Sequence, residues 1–285
     1  MRLRCLNEFW YSRCVHKRIS SGGFLLIFVA LSAALFVSDV RGVPQQVKPP
    51  TPPGQRLDQI TPPDSIQSAK TFLTVVVIDP AHGGSDSGAR GSSGINESEI
   101  VMDFTRAIRA ALESKGFRVV QTRTGNEGPS FDDRSAVANA QRGAVFVSIH
   151  VASTGTFGQV RAYSEIPQDL PNDLLNGQSF GPLSFPVRNG LLPWDRAQEP
   201  YLAASRKFAE LVQAAFAQKF KGSPDAPISA AIRQLRTVGE PAIAIEVSSV
   251  SIADREPLLR MAPGIADSIA QAVVSFKPIY EAAGH

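Results

Sequence analysis

Apolar β-branched runs that alternate with amphipathic helical stretches predict a single α/β domain. Its sheet is expected to be mixed but mainly parallel and flanked by helices on both faces. Three observations carry this. The run 72–79 (FLTVVVID) is apolar almost throughout, as in strands buried on both faces of a parallel sheet. Ile100, Phe104, Ile108 and Leu112 then recur at helical spacing, and the stripe stops at Gly116. A second strand at 117–122 and a third at 144–149 follow, with a helix at 131–142 between them.

Each element has its own signal. The first strand runs into a glycine-rich loop with glycines at 83, 84, 88, 91 and 94. No P-loop Lys-Ser/Thr follows, so the loop is expected to fold tightly around a site and not to cradle a phosphate. Asn96 reads as the N-cap of the first helix, with Glu99 completing a capping box. A fourth strand is expected at 160–165, a long amphipathic helix at 199–220, an apolar strand at 242–247, and a closing helix at 263–282 with Pro263 in its first turn. Between the fourth strand and the long helix, residues 166–198 are rich in Pro and Gly and longer than a connector needs to be. They read as a lid or substrate-binding loop, the alternative being an inert excursion.

Net charge is +3, but it is unevenly placed. Residues 1–42 hold six basic and two acidic side chains, leaving 23 basic and 24 acidic in the remainder. The working domain is therefore near neutral, which gives no support for a nucleic-acid partner. The same N-terminus has an apolar run of 15 residues at 23–37, then Val40-Arg41-Gly42. This pattern reads as a signal peptide or N-terminal anchor over 1–42, so the domain is expected outside the cytoplasm, in the periplasm or cell envelope, touching membrane only through an uncleaved anchor. Residues 43–70, rich in Pro and Gln, read as a disordered linker, and 71–285 as the catalytic domain. Cys5 and Cys14 both precede the apolar run, which excludes disulfides and thiolate metal ligands from the exported part.

Histidine is scarce. Of four, His16 lies in the targeting segment and His285 is terminal, while His82 and His150 each close a strand. In parallel sheets the site lies beyond the carboxyl ends of the strands. His82, His150, Glu246 at the end of the late strand and Glu97 at the first helical turn thus converge on one edge. Two imidazoles and one carboxylate with an open position make a catalytic zinc site. A further carboxylate, Glu246, is the candidate proton shuttle. Bland readings stay open: each His can simply bond a loop, Glu97 can serve the helix dipole, and Glu246 can pair with Arg233 or Arg236.

The stretch Ile78-Asp79-Pro80-Ala81-His82-Gly83-Gly84-Ser85-Asp86-Ser87-Gly88-Ala89, Glu97, Ser148-Ile149-His150 and Pro241-Ala242-Ile243-Ala244-Ile245-Glu246 resemble the zinc-dependent N-acetylmuramoyl-L-alanine amidases of the bacterial cell wall. The likeness covers about residues 72–280. It extends to Thr122-Arg123, to Arg134 with Ala138-Asn139-Ala140, and to an Arg upstream of Pro241. It implies zinc held by His82, Glu97 and His150, with Glu246 catalytic, in an enzyme that opens the amide between the lactyl group of N-acetylmuramic acid and L-alanine. Asp79, Asp86, Ser148 and Arg236 are expected to touch substrate or support the ligands. Peptidoglycan is then the partner, with an activator protein of unknown identity possible. Ala81 replaces a Gly usual in the family, so its backbone is expected to avoid positive φ. Val151-Ala152-Ser153 lacks the family's Asn two residues after the second His, and Ser251-Ile252 stands where Ser-Asn is common. Two other readings stay open: another exported zinc amidohydrolase or carboxypeptidase on peptides, and a non-catalytic peptidoglycan-binding protein of the same fold.

Overall fold

A computed structural model describes residues 71–166 and 192–283. The segment 1–42, the linker 43–70 and residues 167–191 of the long insertion lie outside the described residues. Ser68–His285 forms one compact unit. Its elements are β1 (Val75–Pro80), α1 (Glu97–Ser114), β2 (Arg118–Gln121), α2 (Phe131–Asn139), β3 (Ala144–Val151), β4 (Val160–Glu165), α3 (Leu202–Lys219), β5 (Ile228–Ala230), α4 (Arg233–Arg236), β6 (Ala242–Val247) and α5 (Glu256–Ala283). Six strands form one sheet in the order β2-β1-β3-β6-β4-β5. β2, β1, β3 and β6 pair in parallel, β4 runs antiparallel to β6, and β5 is parallel to β4.

The period of two along each strand sorts the molecule into layers. Val76, Ile78, Val145, Val147, Ile149, Ile243 and Ile245 face a large core built with α1, α3 and α5. Val75, Val77, Phe146, Ala242, Ala244 and Tyr163 face the opposite way, into a smaller core under α2 and α4. Helices therefore cover both faces, one much more thinly. Continuing the period on the thin side gives Asp79 on β1, Ser148 and His150 on β3 and Glu246 on β6. These polar residues begin where the apolar run of that face ends, and there they form the floor of the site.

Four expectations change. β3 does not stop at Ile149: His150 pairs with Glu246 and Val151 with Val247, so His150 is a strand residue. The closing helix begins at Glu256 and not at Pro263, because burial of Leu258, Met261 and Ala262 extends it upstream while Pro263 sits on its exposed side. Asn96 occupies the N-cap but makes no capping bond, and its amide donates instead to Glu99 Oε1 at 3.2 Å. The first-turn donors find backbone: Glu97 N–H reaches Ala89 O at 2.9 Å and Ser98 N–H reaches Ser87 O at 3.2 Å. The glycine loop thus caps the helix that carries Glu97. A reciprocal capping box forms on α2 instead, between Ser130 and Asp133. Last, the short β5 and α4 have no counterpart in the sequence reading.

Candidate metal centre

His82 from the loop after β1, Glu97 from the start of α1 and His150 from the end of β3 meet. One ligand atom from each lies within 4.8 Å of the others, so the three could hold a metal ion. Glu97 is the bridge: Oε2 stands 3.1 Å from His82 Nε2, and Oε1 stands 3.0 Å from His150 Nδ1. The rings of the two histidines are edge to face, 5.3 Å between centroids. Backbone N–H groups of Ala89 and Val151 donate to the same two carboxylate oxygens at 2.8 and 2.9 Å.

Electrostatics suit a cation at the centre. Burial opposes ionisation of Glu97, yet the hydrogen bonds and charges of His150 and His82 outweigh it and hold the carboxyl well below the usual range. Burial likewise disfavours the His82 imidazolium, but Glu97 and then Asp86 raise its pKa to about 9. Each imidazole is also held on its outer side. Asp86 Oδ2 lies 2.7 Å from His82 Nδ1, and Gln234 Oε1 lies 3.1 Å from His150 Nε2. Partners on the far nitrogen fix the tautomer and orientation of a ligating ring.

The loop behind His82 is pinned by two buried guanidiniums. Arg123 donates to the carbonyls of Pro80, Ala81 and Ser98 at 2.8, 2.8 and 2.9 Å. Arg134 donates to Asp79 Oδ1 at 2.6 Å, to Pro80 O at 2.9 Å and to His82 O at 2.8 Å. These bonds hold His82 at φ 60, the one positive φ of a non-glycine among the described residues. Ala81 avoids that region, and the turn falls one residue later. Gly88, at φ +65, closes the site from the other side: a Cβ there would lie 2.5 Å from Glu97 Oε2 and 2.6 Å from His82 Cδ2. A cavity of about 290 Å³ opens beside His82, bordered by Gly83, Gly84, Asp86, Gly128 and Arg134.

Glu246 neighbours His150 directly across the parallel pair β3·β6. Burial raises its pKa above the ordinary glutamate value, and the Tyr163 hydroxyl, donating to Oε1 at 3.1 Å, only partly offsets this.

A family model described as N-acetylmuramoyl-L-alanine amidase matches residues 76–275, most of the chain. The chain belongs to that family. Among curated relatives, amidase AmiC of Neisseria meningitidis serogroup B is 35% identical over 98 residues, 34% of this chain and 24% of its own length. The sporulation-specific amidase of Bacillus subtilis is 39% identical over 88 residues, 30% of this chain and 34% of its own. The chain thus aligns with about a quarter to a third of the length of these relatives. Two solved amidases share the fold: one from Clostridium difficile 630, at 22% identity and TM-score 0.54, covering 72% of this chain and 97% of that one, and AmiC2 of Nostoc punctiforme, at 22% identity and TM-score 0.53, covering 72% and 98%.

Within this amidase frame the four supporting residues separate. Asp79 and Ser148 are fully buried, in one hydrogen-bonded network beneath the site. Ser148 Oγ donates to Asp79 Oδ2 at 2.8 Å, Thr122 Oγ1 donates to Asp79 Oδ1 at 2.5 Å, and Gln234 Nε2 donates to both Asp79 and Ser148. Asp86 is exposed and holds His82. Arg236 is engaged elsewhere, 3.5 Å from Glu165. Sequence reasoning missed Gln234 and Tyr163. Tyr163 could have been found by its phase in β4, but Gln234 sits in a four-residue helix with no period to mark it.

Proposed function

We propose that this protein is a zinc-dependent hydrolase of peptidoglycan that opens the amide between the lactyl group of N-acetylmuramic acid and L-alanine of the stem peptide. The observation that carries the reading is the Glu97 bridge between His82 and His150, with Glu246 in register beside His150. Two imidazoles, one carboxylate and no thiol fit a catalytic zinc, and His82, Glu97 and His150 would hold it. Bound there, zinc would supply a water of lowered pKa and polarise the scissile carbonyl.

The chain's own residues do the rest. Asp86 and Gln234 fix the outer nitrogens of the two imidazoles, which leaves His82 Nε2 and His150 Nδ1 turned toward Glu97. An amide leaves poorly unless its nitrogen is protonated. Glu246, half-buried and with a raised pKa, is suited to take the proton of the attacking water and hand it to the departing amine. Tyr163 holds one oxygen of that carboxylate in place. We place the enzyme in the cell envelope, a reading supported by the basic, apolar and small-residue pattern of residues 1–42 and by family membership. No described helix is long and apolar enough to cross a membrane.

Metal analysis tests the ligand set. His150→Ala is expected to lose zinc and hydrolysis of muropeptides together. Full zinc occupancy in that variant would overturn the assignment.

A further inference from the structure

Arg161 stands beside the proposed shuttle with no role in the machinery above. β4 is antiparallel to β6, with Arg161 paired to Glu246 and Tyr163 to Ala244. Residues opposite one another share a face, so Arg161 points to the side of the sheet that carries Glu246. Its positive charge acts on both the Tyr163 hydroxyl and Glu246. An arginine present only to neutralise Glu246 would pair with it directly, yet Arg161 forms no ion pair with either oxygen, and the one hydrogen bond to Oε1 comes from Tyr163. Among the described residues Arg161 makes no ion pair, and its Nε is buried without a hydrogen-bond partner. Buried donors are rarely left so. Nε is one arm of the fork with which a guanidinium grips a carboxylate.

The direction of the reaction says which part of the substrate meets this residue. Glu246 must deliver its proton to the departing amine, so the peptide leaves on the Glu246 side of the cleft. In the sheet order β1-β3-β6-β4, His82 follows β1 and Arg161 lies one strand beyond Glu246, away from His82. A strand spacing of about 4.8 Å brings Arg161 within a residue or so of the scissile bond. The neighbouring carboxylate, Glu246, would repel an acidic peptide group that met no cation there. We propose that Arg161 is a specificity-determining residue that receives the carboxylate of the stem-peptide residue next to L-alanine. This rests on the amidase reading above.

The test uses the zinc-loaded full chain and two synthetic N-acetylmuramoyl-L-alanyl dipeptides. Both end in a glutamate residue with its side-chain carboxyl amidated, and they differ only in whether the other carboxylate is free or amidated. Wild type is expected to prefer the free carboxylate by about tenfold in kcat/KM, mainly through KM, as for a charge-assisted hydrogen bond. Arg161→Gln should erase most of that preference with zinc content unchanged, and Arg161→Lys should keep part of it. Two results overturn the proposal: a wild type indifferent to amidation, or an Arg161→Gln variant that loses both substrates by the same factor. Hydrolysis of neither substrate by wild type would be a different failure, that of the amidase reading itself, and it would take this proposal with it. The wild-type comparison needs no variant to fold.

Discussion

Gln234 Oε1 lies 3.1 Å from His150 Nε2, while the amide nitrogen of the same side chain donates to Asp79 and Ser148 on the sheet floor. One side chain thus ties the candidate ligand to the buried polar network beneath it. Partners of this kind govern metal affinity by about 10- to 100-fold. Gln234→Leu should therefore weaken zinc binding by about tenfold or more in a chelator competition, with the three ligands intact. Unchanged affinity would show that Gln234 does not set the orientation of His150.

Such a residue shows where sequence reading stops. The strands were legible because Val, Ile and Phe runs have no other economical use, and His82, Glu97, His150 and Glu246 stood out as polar residues ending those runs. Arg161 acquires meaning only through pairing across the sheet and Gln234 only through side-chain hydrogen bonds to residues distant in sequence, neither of which local periodicity carries. The same holds for β5 and α4, too short to show a period. The Asn96 capping box failed for a physical reason: backbone carbonyls of the glycine loop already serve the donors it would have capped. The expected lid or substrate-binding role of 166–198 falls mainly outside the described residues.

Glu246 separates base from ligand. Glu246→Gln keeps the shape of the side chain but removes the acceptor, so zinc should stay while turnover falls by about 10² or more. Joint loss of zinc would make Glu246 a ligand, and near wild-type turnover would move the shuttle to another residue. Metal analysis and initial rates on one preparation distinguish the three.

Arg134 holds the ligand loop through buried contacts to Asp79, Pro80 and His82. Arg134→Met leaves the buried Asp79 carboxylate without a counter-charge, and the expected loss is about 3–5 kcal/mol in denaturant unfolding. A loss under about 1 kcal/mol, the scale of an exposed pair, would contradict the role given to this residue.

At the base of β6, burial raises Glu240 from 4.5 to about 7, with the Tyr280 hydroxyl 3.1 Å away and the backbone of Ala144 and Gly143 only partly offsetting it. The fold therefore binds this proton more tightly than the unfolded chain does. Stability from this group is fully present below pH 4.5 and is lost as pH rises through about 7. Glu165, raised by burial to about 8, acts with the same sign. In urea titrations across that window, Glu240→Gln should gain on wild type as pH increases, and parallel stability curves would refute the coupling.

The central claim is tested most directly by mass spectrometry of purified peptidoglycan digested with the zinc-loaded protein. The expected products are stem peptides with a free L-alanine amino terminus and glycan strands with intact lactyl carboxyl groups. Fragments cut between amino acids of the stem, with the lactyl amide still closed, would contradict it.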